Sequence, residues 1–176
     1  CVGPDETVYL ITLLNGKVHA LNGQTGTEKW EFTHNTGNNH YHANDPLLGA
    51  NGYLYFICPN ESTLYALNSQ NGGLIWKVND FKGYPKAIGP DGTLYSTVGD
   101  DLHAWNGSTG ALLWTYELGS NMTGWSFREL IIGADDLLYA GIEKYDYNTY
   151  QQTAPAKVYA INSQTRAKVW ETQLRN

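Results

Sequence analysis

Val18–Trp30 reads VHALNGQTGTEKW, and the same pattern returns as LYALNSQNGGLIW at Leu64–Trp76, LHAWNGSTGALLW at Leu102–Trp114 and VYAINSQTRAKVW at Val158–Trp170. Ala20, Ala66, Ala104 and Ala160 hold one position. Asn22, Asn68, Asn106 and Asn162 each stand eight residues before a tryptophan. A second block precedes each of these: CVGPDETVYL from Cys1, LLGANGYLYF from Leu47, AIGPDGTLYS from Ala87 and IIGADDLLYA from Ile131. Gly3, Gly49, Gly89 and Gly133 open the turn, and Tyr9, Tyr55, Tyr95 and Tyr139 close the block. Self-similarity at a fixed period is the mark of a repeat architecture.

Each repeat reads as four short strands, A to D. The segment GPDG at Gly89–Gly92 is a turn between two apolar runs. The clusters of Asn, Gly, Ser and Thr after each conserved Ala mark a second turn, between C and D. Alternation in TLYS and LYALN predicts strands with one buried face. No stretch keeps a helical period over about twelve residues. A four-stranded unit of about 40–45 residues, repeated, is a propeller blade.

The 176 residues suffice for one domain with a core, and 41% hydrophobic content excludes a disordered tail. The formal charge of −6, with no basic run, argues against nucleic acid or an anionic membrane as partner. No apolar stretch is long enough to span a bilayer.

The second block resembles the PQQ-like propeller repeat, also called the quinoprotein tryptophan-docking motif, which runs Ala-x-Asp-x-x-x-Gly-Lys-x-x-Trp. Three copies keep Ala, Gly and Trp but carry Asn in place of Asp, and the fourth also replaces Gly with Arg166. The resemblance covers nearly the whole chain. It implies an all-β propeller of four four-stranded blades, at approximately 1–32, 43–78, 84–117 and 124–176. It also implies that Trp30, Trp76, Trp114 and Trp170 pack between neighbouring blades.

Only two residues, Cys1 and Val2, precede Gly3, so the first blade is expected to lack most of its innermost strand. Past Trp170 only ETQLRN remains. Closure of a ring by exchange of a strand between the termini is therefore not expected. The alternatives are a piece of a larger propeller, a ring completed by partner copies, or end-to-end self-assembly into a fibre. Cys1 suggests the lipid-modified cysteine of bacterial lipoproteins. Lipoprotein propellers, which this repeat resembles, need a linker before the first blade, and Cys1 already lies within strand A. Cys1 and Cys58 are placed at opposite ends of strands, so no disulfide between them is expected.

The spacing within the A–B and C–D turns is nearly constant. Tyr-to-Ala distances across the B–C turn are 11, 11, 9 and 21 residues, and Trp-to-Gly distances across the D–A connection are 19, 13 and 19. These connections share one face of an up-and-down blade. Variable loops on a fixed scaffold are where binding sits. The candidate binding residues there are His40, Tyr41, His42, Tyr84, Trp125 and Arg128, facing a protein or glycan. The insertion Gly141–Ala156 is expected to extend a hairpin or cap a neighbour. His34, His40 and His42 share the first loop and are the weak metal candidates: His40-x-His42 on a strand would point both imidazoles to one side, but no third ligand beside that pair is specified and no metal is assigned. Sequons at Asn60, Asn106 and Asn121 permit glycosylation. Asp100–Asp101 and Asp135–Asp136 read as turn residues.

No Ser–His–Asp order, phosphate loop or paired metal motif stands out. The resemblance also extends to PQQ-dependent dehydrogenases, whose chemistry implies a complete ring, a calcium ion, an acidic base and commonly an adjacent cysteine pair. This chain has no adjacent cysteines. The expectation is a non-catalytic binding or scaffolding module without cofactor, extracytoplasmic (secreted, cell-surface or periplasmic), with a protein, further copies of itself or a glycan as partner. A fragment of a PQQ-dependent dehydrogenase is the enzyme alternative.

Overall fold

The computed structural model describes residues 1–12, 16–34, 45–58, 62–81, 83–146, 148–149 and 151–175. The chain divides into two compact units. One comprises Cys1–Pro85 with Gly107–Gly110, the other Lys86–Asn106 with Ala111–Asn176.

The described secondary structure is four antiparallel sheets and one short 3₁₀ turn, Ser120–Met122. The first sheet has three strands, β1 (Thr7–Thr12), β2 (Lys17–Asn22) and β3 (Glu28–Thr33), in chain order. Its innermost strand is reduced to a single bridge between Val2 and Val8. The second sheet is β4 (Leu47–Leu48), β5 (Tyr53–Cys58), β6 (Thr63–Asn68) and β7 (Leu74–Val78). The third is β8 (Tyr84–Ile88), β9 (Thr93–Val98), β10 (Asp101–Asn106) and β11 (Leu112–Glu117). The fourth is β12 (Trp125–Ile132), β13 (Leu137–Asp146), β14 (Gln151–Asn162) and β15 (Lys168–Gln173). The insertion in the fourth repeat lengthens the β13–β14 hairpin, whose ladder runs out to Asp146↔Gln151.

The repeated residues have visible causes. At each A–B turn a short side chain accepts the backbone N–H two residues on: Asp5 from Thr7 at 3.2 Å, Asn51 from Tyr53 at 3.1 Å, Asp91 from Thr93 at 2.9 Å and Asp135 from Leu137 at 3.3 Å. This is the Asx turn. The glycine two residues earlier leaves room for that carboxyl or amide oxygen and for the repeat's tyrosine ring. A Cβ at Gly133 would lie 2.3 Å from Asp135 Oδ1 and 2.9 Å from Tyr139. At the C–D turns Asn22, Asn68 and Asn162 each accept two backbone N–H groups, as when Asn22 Oδ1 takes Gln24 and Thr25 at 2.9 Å. Asn serves here as well as the motif's Asp, because the acceptor oxygen is what the turn requires.

The sequence predicts half-buried strands, and the central strands depart from this. β5 is buried at five of its six residues and β6 likewise. These two strands carry buried apolar side chains on both faces of their sheet. In the first unit Tyr9, Val18 and Ala20 pack with Leu54, Phe56, Tyr65 and Leu67. In the second, Tyr95, Leu102 and Ala104 pack with Leu138, Ile142, Tyr159 and Ile161. The second sheet's innermost strand is also shorter than expected, only Leu47–Leu48.

Candidate functional site

The tryptophans come first, because they set how the sheets meet. Trp30 Nε1 donates to the Ser69 carbonyl at 3.0 Å, and the Tyr9 hydroxyl donates to the same oxygen at 3.0 Å. Trp76 Nε1 and the Tyr55 hydroxyl converge in the same way on the Gly107 carbonyl, at 3.1 and 2.9 Å. The ring pairs are near copies: Tyr9–Trp30 at 5.9 Å and 41°, Tyr55–Trp76 at 5.8 Å and 44°. Each indole lies over a buried glycine of the turn it meets. A Cβ at Gly72 would stand 2.6 Å from Trp30, and one at Gly110 2.9 Å from Trp76. In the second unit the Tyr95 and Trp114 rings lie 5.9 Å apart at 56°. There Arg166 replaces the glycine, and its guanidinium lies 5.9 Å from the Trp114 ring. Trp170 is 41% exposed.

The binding-face candidates separate. Trp125 lines a cleft of about 450 Å³ in the second unit, together with Gly99, Asp100, Glu117, Ser120, Thr123 and Ser126. Three segments build it: the β9–β10 turn, the loop after β11 and the start of β12. The Gly99 carbonyl takes the Phe127 N–H at 2.8 Å and the Asp100 carbonyl takes Leu118 N–H at 3.1 Å, which ties these segments together. Lys157 Nζ stands 5.1 Å over the Trp125 ring and fixes its far face. Ser126 is 6% exposed, and its hydroxyl has no hydrogen-bond partner among the described residues. A buried unpaired hydroxyl costs about 1–3 kcal/mol. Asp100 and Glu117 are exposed at the rim and make it acidic.

Arg128 lies outside this cleft. Its Nε is 3.5 Å from Glu143, an ion pair by distance but without hydrogen-bond alignment, and its guanidinium covers Tyr145 at 5.2 Å. Tyr84 is exposed at the start of β8, in the first unit. His34 packs its ring 5.5 Å from Phe56 and 6.1 Å from Tyr65. His40, Tyr41, His42 and Asn60 lie outside the described residues. Asn106 ends β10 at the C–D turn position, half-buried, and Asn121 sits in the 3₁₀ turn. Cys1 is exposed and Cys58 buried, and neither is in a disulfide among the described residues.

Sequence reading missed Ser126 and the acidic rim, which come together only through loop adjacency. It also missed His19, Glu28 and Glu31, whose ligand atoms lie within 4.8 Å of one another on the first sheet. The register could have found this trio, because His19 pairs directly with Glu31 across β2 and β3. Its members already satisfy one another and Lys17: His19 Nδ1 meets Glu28 at 2.7 Å, and Lys17 Nζ meets both Glu31 oxygens at 2.8 Å.

Residues 60–176 match the family described as outer membrane protein assembly factor BamB, a PQQ-repeat family. The chain belongs to this family. Solved structures confirm the fold as a β-propeller type. BamB from Moraxella catarrhalis matches with a TM-score of 0.58 at 19% identity, over 98% of this chain and 62% of that one. Quinohemoprotein alcohol dehydrogenase from Comamonas testosteroni matches at 0.68 and 15% identity, over 96% and 33%. A europium-containing methanol dehydrogenase matches at 0.67 and 16%, over 95% and 40%. The chain thus spans under two thirds of the length of each of these structures. No curated protein matches it.

The dehydrogenase neighbours raise the question of a quinone. The adjacent cysteine pair that the sequence resemblance associates with that chemistry does not occur in this sequence, where Cys1 and Cys58 are far apart.

Proposed function

We propose that the chain is a non-catalytic propeller module that binds a protein partner at the Trp125 cleft, outside the cytoplasm. The half-buried Trp125 ring on the wall of the cleft, beside the exposed carboxylates of Asp100 and Glu117, carries this reading. A few convergent polar groups against an aromatic surface are the usual make-up of a binding pocket. Asp100 and Glu117 favour a partner segment bearing a Lys or Arg side chain, which would stand over the acidic rim beside Trp125. The family's description as an outer membrane protein assembly factor supports a protein partner and an extracytoplasmic setting. Among the described residues no helix is long and apolar enough to cross a membrane.

An array of random-sequence peptides tests this. The chain retains a subset enriched in Lys and Arg, and Trp125→Ala and Ser126→Val each release it. A peptide set held equally by the wild type and both variants, or none held at all, refutes the reading. A glycan array in parallel decides whether sugars take the site instead. Dye reduction by an alcohol with added PQQ and calcium would refute the non-catalytic part.

A further inference from the structure

His19, Glu28 and Glu31 stand on two neighbouring strands of the first sheet, and the ladder explains why they meet. His19 lies directly opposite Glu31 in the β2–β3 register. Glu28 comes three residues before Glu31, a spacing that puts two side chains on opposite faces of a regular strand. The bulge at Ala20 and Leu21 adds a residue to β3 and sets Glu28 opposite Leu21, on the face of His19. The three ligand atoms then lie within 4.8 Å of one another, with the imidazole half-buried and both carboxylates exposed. The bulge recurs in all four sheets, but the residues do not. The second repeat has Tyr65, Leu74 and Lys77 at these positions, so neither the turn nor the packing of the blade requires the trio. The opening is also a property of the repeat. Tyr65 packs on Phe32 of the first sheet at 6.0 Å, yet Leu74 and Lys77 beside it stay exposed.

The imidazole is held in one orientation. The Thr12 hydroxyl donates to the Lys17 carbonyl at 3.3 Å and so accepts from His19 Nε2 at 3.2 Å. This keeps a proton on Nε2 and aims Nδ1 at Glu28, 2.7 Å away. A hydrogen bond on the second ring nitrogen is the usual support of a metal-ligating histidine. On the other side Lys17 Nζ, 2.8 Å from both Glu31 oxygens, already supplies a positive charge.

We propose that His19 Nδ1, Glu28 and Glu31 bind a zinc ion, which clamps β2 to β3 on this face of the first sheet. Zinc holds imidazole nitrogen and carboxylate oxygen at about 2.0–2.2 Å in a tetrahedron, so its ligand atoms stand roughly 3.3 Å apart. Rotation of two exposed glutamates reaches that spacing. The two carboxylates neutralise the ion, and water takes the fourth position. Calcium, which wants about six to eight oxygen ligands, does not match this donor set. The incoming ion displaces the Lys17 ammonium and the proton between Nδ1 and Glu28, which passes to solvent. The site lies in the first unit and is independent of the Trp125 cleft in the second.

Titration of the chain, stripped of metal, with zinc chloride tests this by calorimetry and melting. Wild type binds one zinc more than His19→Ala, and zinc raises its melting temperature by mass action. Glu28→Gln and Glu31→Gln each abolish the extra ion. Thr12→Val removes the positioning residue and weakens binding about 10–100-fold. Lys17→Ala tightens it, because the competing ammonium is gone. Cobalt in place of zinc gives the visible absorption of a tetrahedral site in wild type and not in His19→Ala. Unchanged β circular dichroism and melting without metal identify folded variants. Zinc bound equally by wild type and His19→Ala, or not bound at all, overturns the proposal, as does weaker binding by Lys17→Ala. Peptide retention at the Trp125 cleft is read separately without zinc, so either reading can fail alone.

Discussion

Gly72 and Gly26 offer a controlled comparison, because they occupy the same turn position with the same φ of +72° and differ only in what lies above them. Replacing either with Ala places a Cβ in the left-handed region, which costs about 1–2 kcal/mol. At Gly26 nothing more is lost. At Gly72 the new Cβ stands 2.6 Å from Trp30 Cε3 and 2.9 Å from Cδ2. The indole must move, and overpacking of this kind costs about 1–3 kcal/mol. Moving it also weakens the 3.0 Å bond from Nε1 to the Ser69 carbonyl, worth about 1 kcal/mol net. Gly72→Ala therefore destabilises by about 3–6 kcal/mol and Gly26→Ala by about 1–2 kcal/mol. Both are measured by urea unfolding. The midpoint shifts while the slope against urea stays constant, which marks a change in stability rather than in the extent of unfolding. Equal losses at the two glycines would refute the claim that indole docking on the turn couples neighbouring sheets.

Two further outcomes concern pH. Burial raises the Tyr95 phenol above its ordinary value near 10, so between the unfolded and folded values the native chain holds more protons. Stability accordingly falls as pH rises above about 10, and Tyr95→Phe flattens that alkaline slope in urea midpoints, while an unchanged slope refutes the assignment. On the acid side, hydrogen bonds from the Thr7 hydroxyl and Lys29 lower Asp5 to about 2. Its contribution is complete above its unfolded value near 3.9 and is lost as pH falls toward about 2. Asp5→Asn removes that part of the acid loss, and a variant that retains the full wild-type acid slope excludes Asp5 as its source.

The fold was legible because the residues that shape it act locally and recur. Asn22, Asn68 and Asn162 make the same Asx turn wherever the pattern appears, and Asp5, Asn51, Asp91 and Asp135 cap the other turn in the same way. The incomplete innermost strand followed from a residue count alone. Burial on both faces of β5 and β6 was less legible, since FIC and LYAL lose alternation only when a neighbouring sheet's apolar side chains are known. The cleft was legible only in part. Trp125 fell on the variable face, but Asp100, Glu117 and Ser126 belong to three segments with no shared spacing. Arg128 looked equivalent to Trp125 in sequence. The register shift between Phe127 and Glu129 instead turns it to Glu143 and Tyr145.

Four tryptophans that are indistinguishable in sequence thus have different surroundings, and the difference lies in the turn each one meets. Trp30 and Trp76 meet glycine and make a bond to a carbonyl; Trp114 meets Arg166 and exchanges that bond for a cation over its ring; Trp170 meets no described turn. In a linear array of repeats, stability is the sum of what each repeat contributes and what each junction adds. The junctions at Trp30 and Trp76, each with an indole over a glycine and a bond to a carbonyl, therefore add a contribution of a different kind from the one at Trp114, where a guanidinium faces the ring.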